Sequence, residues 1–215
     1  MKTKYFTIGL LIVVLTVIAT AIIFPHLPER VPVHWNGQNQ PDRYGSKWED
    51  ILIAPAIMLA LIGLMAALPW LSPKNFEVNG AEPVYLQMML LVLGFMTFIH
   101  FQLLAAALGM RTNFVRLIII AVCALFAAKG LLLPRMRRNF YLGVRTPWTL
   151  ASDRVWQATH RFAGKTFFIG GFIALLVALV VRSMWPPFSV LMVAALAPVI
   201  HSLVYYKQLE RRGEV

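Results

Sequence analysis

Five histidines, one cysteine and two long polar segments hold the side chains with which this chain could do chemistry. His26 and His34, with Asp42, share one of those segments, and imidazole plus carboxylate is a donor set for zinc-like cations. A metal site needs three or four ligands at fixed geometry, and the prolines around these residues impose no ligand spacing. A structural hydrogen-bonding role for His34 and Asn36 is the better expectation, so no metal and no cofactor is assigned. His100, one turn after Thr97, and His201 fall inside apolar runs. An ionisable group there is a functional candidate, weighed against the plainer reading of a neutral ring hydrogen-bonded between helices. Cys123 has no companion for a disulfide or a thiolate zinc site. There is no HExxH, no GxSxG, no phosphate loop and no carboxylate pair within an apolar run, so the sequence does not read as an enzyme.

The elements that must position these groups are membrane spans. The chain is 59% hydrophobic and 13% charged, with charges clustered between long apolar runs, a pattern no soluble surface of 215 residues carries. The runs are roughly 5–24, 51–71, 84–108, 117–133, 166–181 and 188–206, six of about bilayer length. They are continuous rather than alternating, which predicts an all-α bundle of about six transmembrane helices and not a barrel. The first run follows Lys2 and Lys4, yet apolar sequence continues past the Ala19-Thr20-Ala21 cleavage-like triplet, so a retained helix is expected. Placing the N-terminus inside puts fourteen of the 20 Lys and Arg residues on the cytoplasmic side and six outside. The positive-inside rule then places both termini in the cytoplasm. The net charge of +11 is thereby read as cytoplasmic loops beside anionic lipid rather than as a nucleic-acid surface.

The outer polar loop, 25–50, reads PHLPERVPVHWNGQNQPDRYGSKWED. Pro25, Pro28 and Pro32 discourage helix and favour an extended entry. Asn36-Gly37 and Pro41-Asp42 are turn signals, the glycine permitting positive φ, with Trp35, Tyr44 and Trp48 as anchors of a compact ectodomain. The inner loop, 134–165, opens with Arg135, Arg137 and Arg138, placed to anchor on lipid phosphate. Thr146-Pro147-Trp148 reads as an extended turn. A helix then starts at Ser152 as N-cap with Asp153 in its first turn. Val155, Trp156, Thr159, Phe162 and Ala163 share one face and Arg154, Arg161 and Lys165 the other, which predicts an amphipathic helix at the inner interface before the fifth span. Gly164, Gly170 and Gly171 are expected to bend the chain from it into that span.

Both loops resemble known signatures. LPERVPVHWNGQNQPDRYGSK resembles the DUF1648-type N-terminal domain, and NFYLGVRTPWTLASDRVWQATHRFAGK resembles the C-terminal signature of the SdpI family. The resemblance divides the chain into a DUF1648-like region, 1–71, and an SdpI-like region, 72–215. It implies a bacterial inner-membrane protein whose best-known relative is an immunity protein against a secreted antibacterial peptide that also holds a cognate repressor at the membrane. On that reading His34, Trp35, Asn36, Gly37 and Asp42 form a candidate ligand site outside. Asn139, Gly143, Arg145, Thr146, Pro147, Trp148, Trp156, Thr159 and His160 form a candidate partner-docking motif inside. The implied partners are lipids, a toxin peptide and a soluble repressor, with no direct nucleic acid. The alternative is a small transporter or flippase with a polar path near His100; no span carries a central Asp, Glu or Arg, which weighs against it.

Overall fold

The computed structural model of the protein describes residues 2–74, 76, 82–111 and 113–214. Six long helices dominate it: α1 (Lys2–Ile23), α2 (Lys47–Leu71), α3 (Glu82–Ala107), α4 (Phe114–Leu132), α6 (Asp153–Val180) and α7 (Trp185–Arg211). All six are long and apolar enough to cross a bilayer. The shortest, α4, has 19 residues, about 28 Å of rise against a hydrocarbon core of about 30 Å. The outward faces confirm the solvent for which they are built. Leu15, Ile22, Ile173, Val180, Val193 and Ile200 are exposed, a distribution that water would penalise and lipid does not. Trp48, Trp70 and Trp185, exposed in the terminal turns of their helices, occupy the positions of an interfacial aromatic belt.

Between α1 and α2 the chain forms an antiparallel hairpin, β1 (Arg30–Trp35) and β2 (Pro41–Ser46). The extended entry that the prolines favour is therefore a strand, paired to a second. Pairing also corrects the turn reading. Asn39, with φ of 62°, takes the positive-φ position and Gly37 does not, while Pro41-Asp42 begins β2 instead of turning. The hairpin is seated through Leu27 and Val31, which are buried on Leu104 and Ala107 of α3. It is pinned to the start of α2 by a Lys47–Glu29 ion pair of 2.8 Å and by Trp48 against Phe24.

Helices α1, α2 and α3 pack on one another, and α4, α6 and α7 form a second group, with α3 on α4 joining the two. The stretch expected as an interfacial helix before the fifth span runs straight into it as the first three turns of α6, a single helix of 28 residues. No breaker separates the two parts. Its apolar face is buried against protein rather than lipid, with Trp156 and Ala163 clustering with Leu133, Met136 and Met88, while Arg154, Arg161 and Lys165 are exposed as expected. The glycines do not bend it. They let α6 approach its neighbours: a Cβ on Gly171 would sit 2.5 Å from the Ala127 backbone nitrogen, and one on Gly170 2.6 Å from Ala194 Cβ. Gly130 of α4 meets the α6 backbone at Gly164 and Phe168 in the same way. Small residues are the usual route to close helix packing in lipid, where burial of apolar surface gives no driving force. Gly171→Leu is therefore expected to part α4 from α6 and cost about 1–3 kcal/mol, the range for overpacking, read as a lower thermal midpoint of the purified protein.

Candidate functional site

The hairpin end is organised by one side chain. Asn36 Oδ1 accepts from the Gln38 and Gln40 amides at 3.0 and 2.9 Å, so the five-residue connection is folded around a side chain acting as a surrogate carbonyl. Asn39, at the tip, has its Oδ1 accept from the Val115 amide at 3.0 Å, satisfying one of the orphan N–H groups that open α4. Asn113 caps the same terminus through the Arg116 amide at 3.1 Å. Trp35 stacks on Phe114 at 3.9 Å between ring centres. Next to this contact lies a mainly apolar cleft of about 260 Å³ lined by Val33, His34, Trp35, Phe114, Ile118 and Met184. His34 donates from Nδ1 to Asp42 Oδ1 at 2.5 Å across the two strands, and Gly37 stands in open space. All five outer residues named from sequence are thus in or beside the hairpin turn, with Asn36 structural and Trp35 and His34 facing the cleft. Among the described residues no three His, Cys, Asp or Glu side chains converge on a metal position.

At the other end, residues 136–152 form a strap across α6, and the motif residues are what holds it. Asn139 is buried and makes four hydrogen bonds: Oδ1 accepts from the Tyr141 and Leu142 amides, and Nδ2 donates to the carbonyls of Arg137 and Leu142. Gly143 has φ of 102° and passes so close over the His160 ring that a Cβ would collide with Nε2. His160 accepts from the Val144 amide at Nε2, 3.1 Å, and donates from Nδ1 to the Trp156 carbonyl, 2.9 Å. Both nitrogens are satisfied only by the neutral ring protonated on Nδ1. Trp156 stacks on that ring at 4.0 Å and donates from Nε1 to the Met136 carbonyl at 2.8 Å. Thr159 is fully buried beside them, its hydroxyl without a hydrogen-bond partner among the described residues.

Thr146 is extended, as a residue before proline should be, but Pro147 opens a short helix, α5 (Pro147–Ala151), instead of a turn. Its start is a capping box in which Thr146 and Thr149 satisfy each other's amides, and Thr149 also donates to the Val144 carbonyl at 2.9 Å. The Thr146 hydroxyl reaches Ser202 of α7 at 3.2 Å, so strap, α6 and α7 are one hydrogen-bonded unit. Arg138 fastens the strap to the start of α6: it donates to the Leu150 carbonyl at 2.7 Å and pairs with Asp153 at 2.7 Å. Thr149, Ser202 and Arg138 carry structural roles that their types alone do not announce, although the Thr146-x-x-Thr149 spacing is a readable capping signal.

The nine inner motif residues therefore divide. Asn139, Thr146, Trp156, Thr159 and His160 are interior scaffold, Gly143 is the turn that clears His160, and Arg145 and Pro147 are exposed with Trp148 half-buried between them. Arg145 leans on the Phe140 carbonyl at 2.7 Å and leaves the rest of its guanidinium outward.

The two intramembrane histidines are held by neighbours. His100 is fully buried; Thr20, whose hydroxyl donates to the Thr16 carbonyl, accepts from His100 Nε2 at 2.8 Å, and His100 Nδ1 has no partner among the described residues. His201 stacks between Phe162 and Tyr205 at 4.5 and 5.8 Å. The first is a link between α1 and α3, the second between α6 and α7.

The SdpI/YfhL protein family model matches residues 135–206, which is the strap with α6 and most of α7, and the domain of unknown function DUF1648 matches residues 11–59, which spans the second half of α1, the hairpin and the first half of α2. Over 205 residues the chain is 29% identical to the immunity protein SdpI of Bacillus subtilis (strain 168), covering 94% of this chain and 96% of that one. No solved structure matches it. With its six spans, its capped strap on α6 and its hairpin between α1 and α2, this multi-pass membrane protein resembles the SdpI/YfhL family over the strap, α6 and most of α7 and the immunity protein SdpI over almost its whole length.

Proposed function

We propose that the protein gives its cell immunity to a secreted antibacterial peptide. The observation that carries this is the collinear match to an immunity protein across almost the full length of both chains, loops included. The hairpin end then faces outward and both termini lie in the cytoplasm, the arrangement favoured by the distribution of Lys and Arg. The cleft beside Trp35 and Phe114 is the feature of the hairpin end suited to an apolar peptide side chain, with His34 and Asp42 as polar groups at its edge. Arg145 and Pro147 are exposed on the strap with Trp148 half-buried between them, and they are the surface on which a soluble repressor would dock. A peptide can shift the strap only by binding two states of the protein with different affinity.

Expressing the chain in cells sensitive to the peptide tests the first part. Survival in the presence of culture supernatant from a peptide-secreting strain should rise, and unchanged survival across a panel of such peptides would count against immunity. Affinity capture of the solubilised protein from its native cells tests the second part. Arg145→Ala is expected to leave stability within about 0.5 kcal/mol, as exposed substitutions do, while a soluble DNA-binding partner captured by the wild type is lost.

A transport reading has one observation in its favour, the unpartnered Nδ1 of buried His100. Substrate flux in proteoliposomes that is the same for the wild type and His100→Ala would remove that support.

A further inference from the structure

A cavity of about 220 Å³ lies where the two helix groups meet. Met65 of α2, Met88 and Val92 of α3 and Phe167 of α6 line it, Lys129 of α4 enters it, and the strap from Leu142 to Val144 closes one side. The walls are overwhelmingly apolar. The backbone of Leu142 and Val144 is already engaged, the Leu142 amide and carbonyl by Asn139, the Val144 amide by His160 and its carbonyl by Thr149. Lys129 is different. Among the described residues it pairs with no carboxylate, and its ammonium lies 6.0 Å from the centre of the Phe126 ring, the outer limit for a cation–π interaction.

An ammonium group without a counter-charge at the edge of an apolar chamber calls for an occupant with both an anion and a hydrocarbon part. Apolar cavities of about 150 Å³ stay dry and accept a benzene-sized ring, so this one has room for a short length of acyl chain and not for a second helix. Its rim residues Leu61, Val92, Lys129 and Phe167 are only partly buried, so the chamber is not sealed. Lys129 lies one turn from the end of α4, at the depth where a phosphate can meet a lysine reaching toward the interface. We infer that this chamber is a specific site for an anionic phospholipid, with one acyl chain among Met65, Met88, Val92 and Phe167 and the phosphate on Lys129. Because Leu142–Val144 forms one wall, the lipid touches the same strap that carries Arg145 and Trp148 and braces it against α3.

Native mass spectrometry of the full-length protein, delipidated in mild detergent and titrated with phosphatidylglycerol or phosphatidylcholine, tests the site. The expected result is one retained phosphatidylglycerol, preferred roughly fivefold over phosphatidylcholine, the factor that about 1 kcal/mol per lysine represents. Lys129→Met should abolish the preference, and Val92→Trp, which fills the chamber from its rim, should weaken binding of both lipids. Arg137→Ala and Lys165→Ala, exposed cations at the same end, should change neither. A preference that survives Lys129→Met overturns the site, and so does one lost equally in Arg137→Ala, which would mark the lipid as bound to the outer surface. Should Val92→Trp fail to fold, the comparison of Lys129→Met with Arg137→Ala still decides.

Discussion

Gly143→Ala is expected to leave little folded protein in the membrane, although it adds a single methyl group. Two costs combine at this position. A non-glycine residue in such a region of positive φ is strained by about 1–3 kcal/mol. The new Cβ also occupies the space of His160 Nε2, so the ring must move and the buried Val144 amide loses its acceptor, worth about 1–3 kcal/mol more. Stabilities of folded domains are only about 5–15 kcal/mol, so a loss of this size is visible directly as a lower folded yield and thermal midpoint. A double-mutant cycle isolates the mechanism. In a His160→Ala background the same Gly143→Ala change should cost only the backbone strain, and full additivity of the two changes would show that the ring contact does not matter.

Trp156→Ala should be comparably severe for a different reason. The indole is the largest fully buried side chain among the described residues, and truncating a buried aromatic to alanine costs about 3–5 kcal/mol. The change also strips the Met136 carbonyl of its donor and removes the ring on which His160 stacks. Trp156→Phe separates these parts, because it keeps an aromatic face for His160 but not the N–H. It is expected to cost about 1–3 kcal/mol, the penalty of leaving one buried polar group unpaired. Thermal unfolding of both variants in one detergent gives the order, and equal loss in the two would assign the effect to the hydrogen bond rather than to packing.

Much of this architecture is legible in the sequence because lipid leaves so few options. A run such as 117–133 must be helical in a bilayer, and a break in hydrophobicity must be a loop. The length of α6 is a different matter. Arg154, Arg161 and Lys165 make its first three turns look interfacial, since a helix whose polar face meets water looks the same in sequence whether its other face meets lipid or protein. Packing of Trp156 on Met136 decides that, and packing is a property of residues twenty positions apart. Glycines pose the same problem. Gly164, Gly170 and Gly171 are equally readable as hinge or as seam until the approach of Gly130 and Ala127 is known. At the hairpin the proline pattern announces extended chain, but pairing of Arg30–Trp35 with Pro41–Ser46 depends on Asn36 and Asn39 folding the connection.

The candidate sites show the same division. Sequence marks out the inner loop as a motif, yet most of its distinctive residues are interior: Asn139 within the strap and Trp156 and His160 on α6 hold the segment that carries Arg145 and Trp148. A motif in a single sequence cannot separate scaffold from contact, because both demand specific side chains. Burial does separate them. Ser202 and Asn113, each an ordinary residue in an unremarkable stretch, take part in the two sites only because tertiary packing delivers them there.

Peptide protection is proposed for the hairpin end and partner docking for the strap. The most direct measurement is survival of peptide-challenged sensitive cells expressing, at matched membrane levels, the wild type, Trp35→Ala or Arg145→Ala. Trp35→Ala should lose protection, since it removes the stack on Phe114 and one wall of the cleft, while Arg145→Ala should protect as the wild type does. Full protection by Trp35→Ala, or its loss in Arg145→Ala alone, would contradict the assignment.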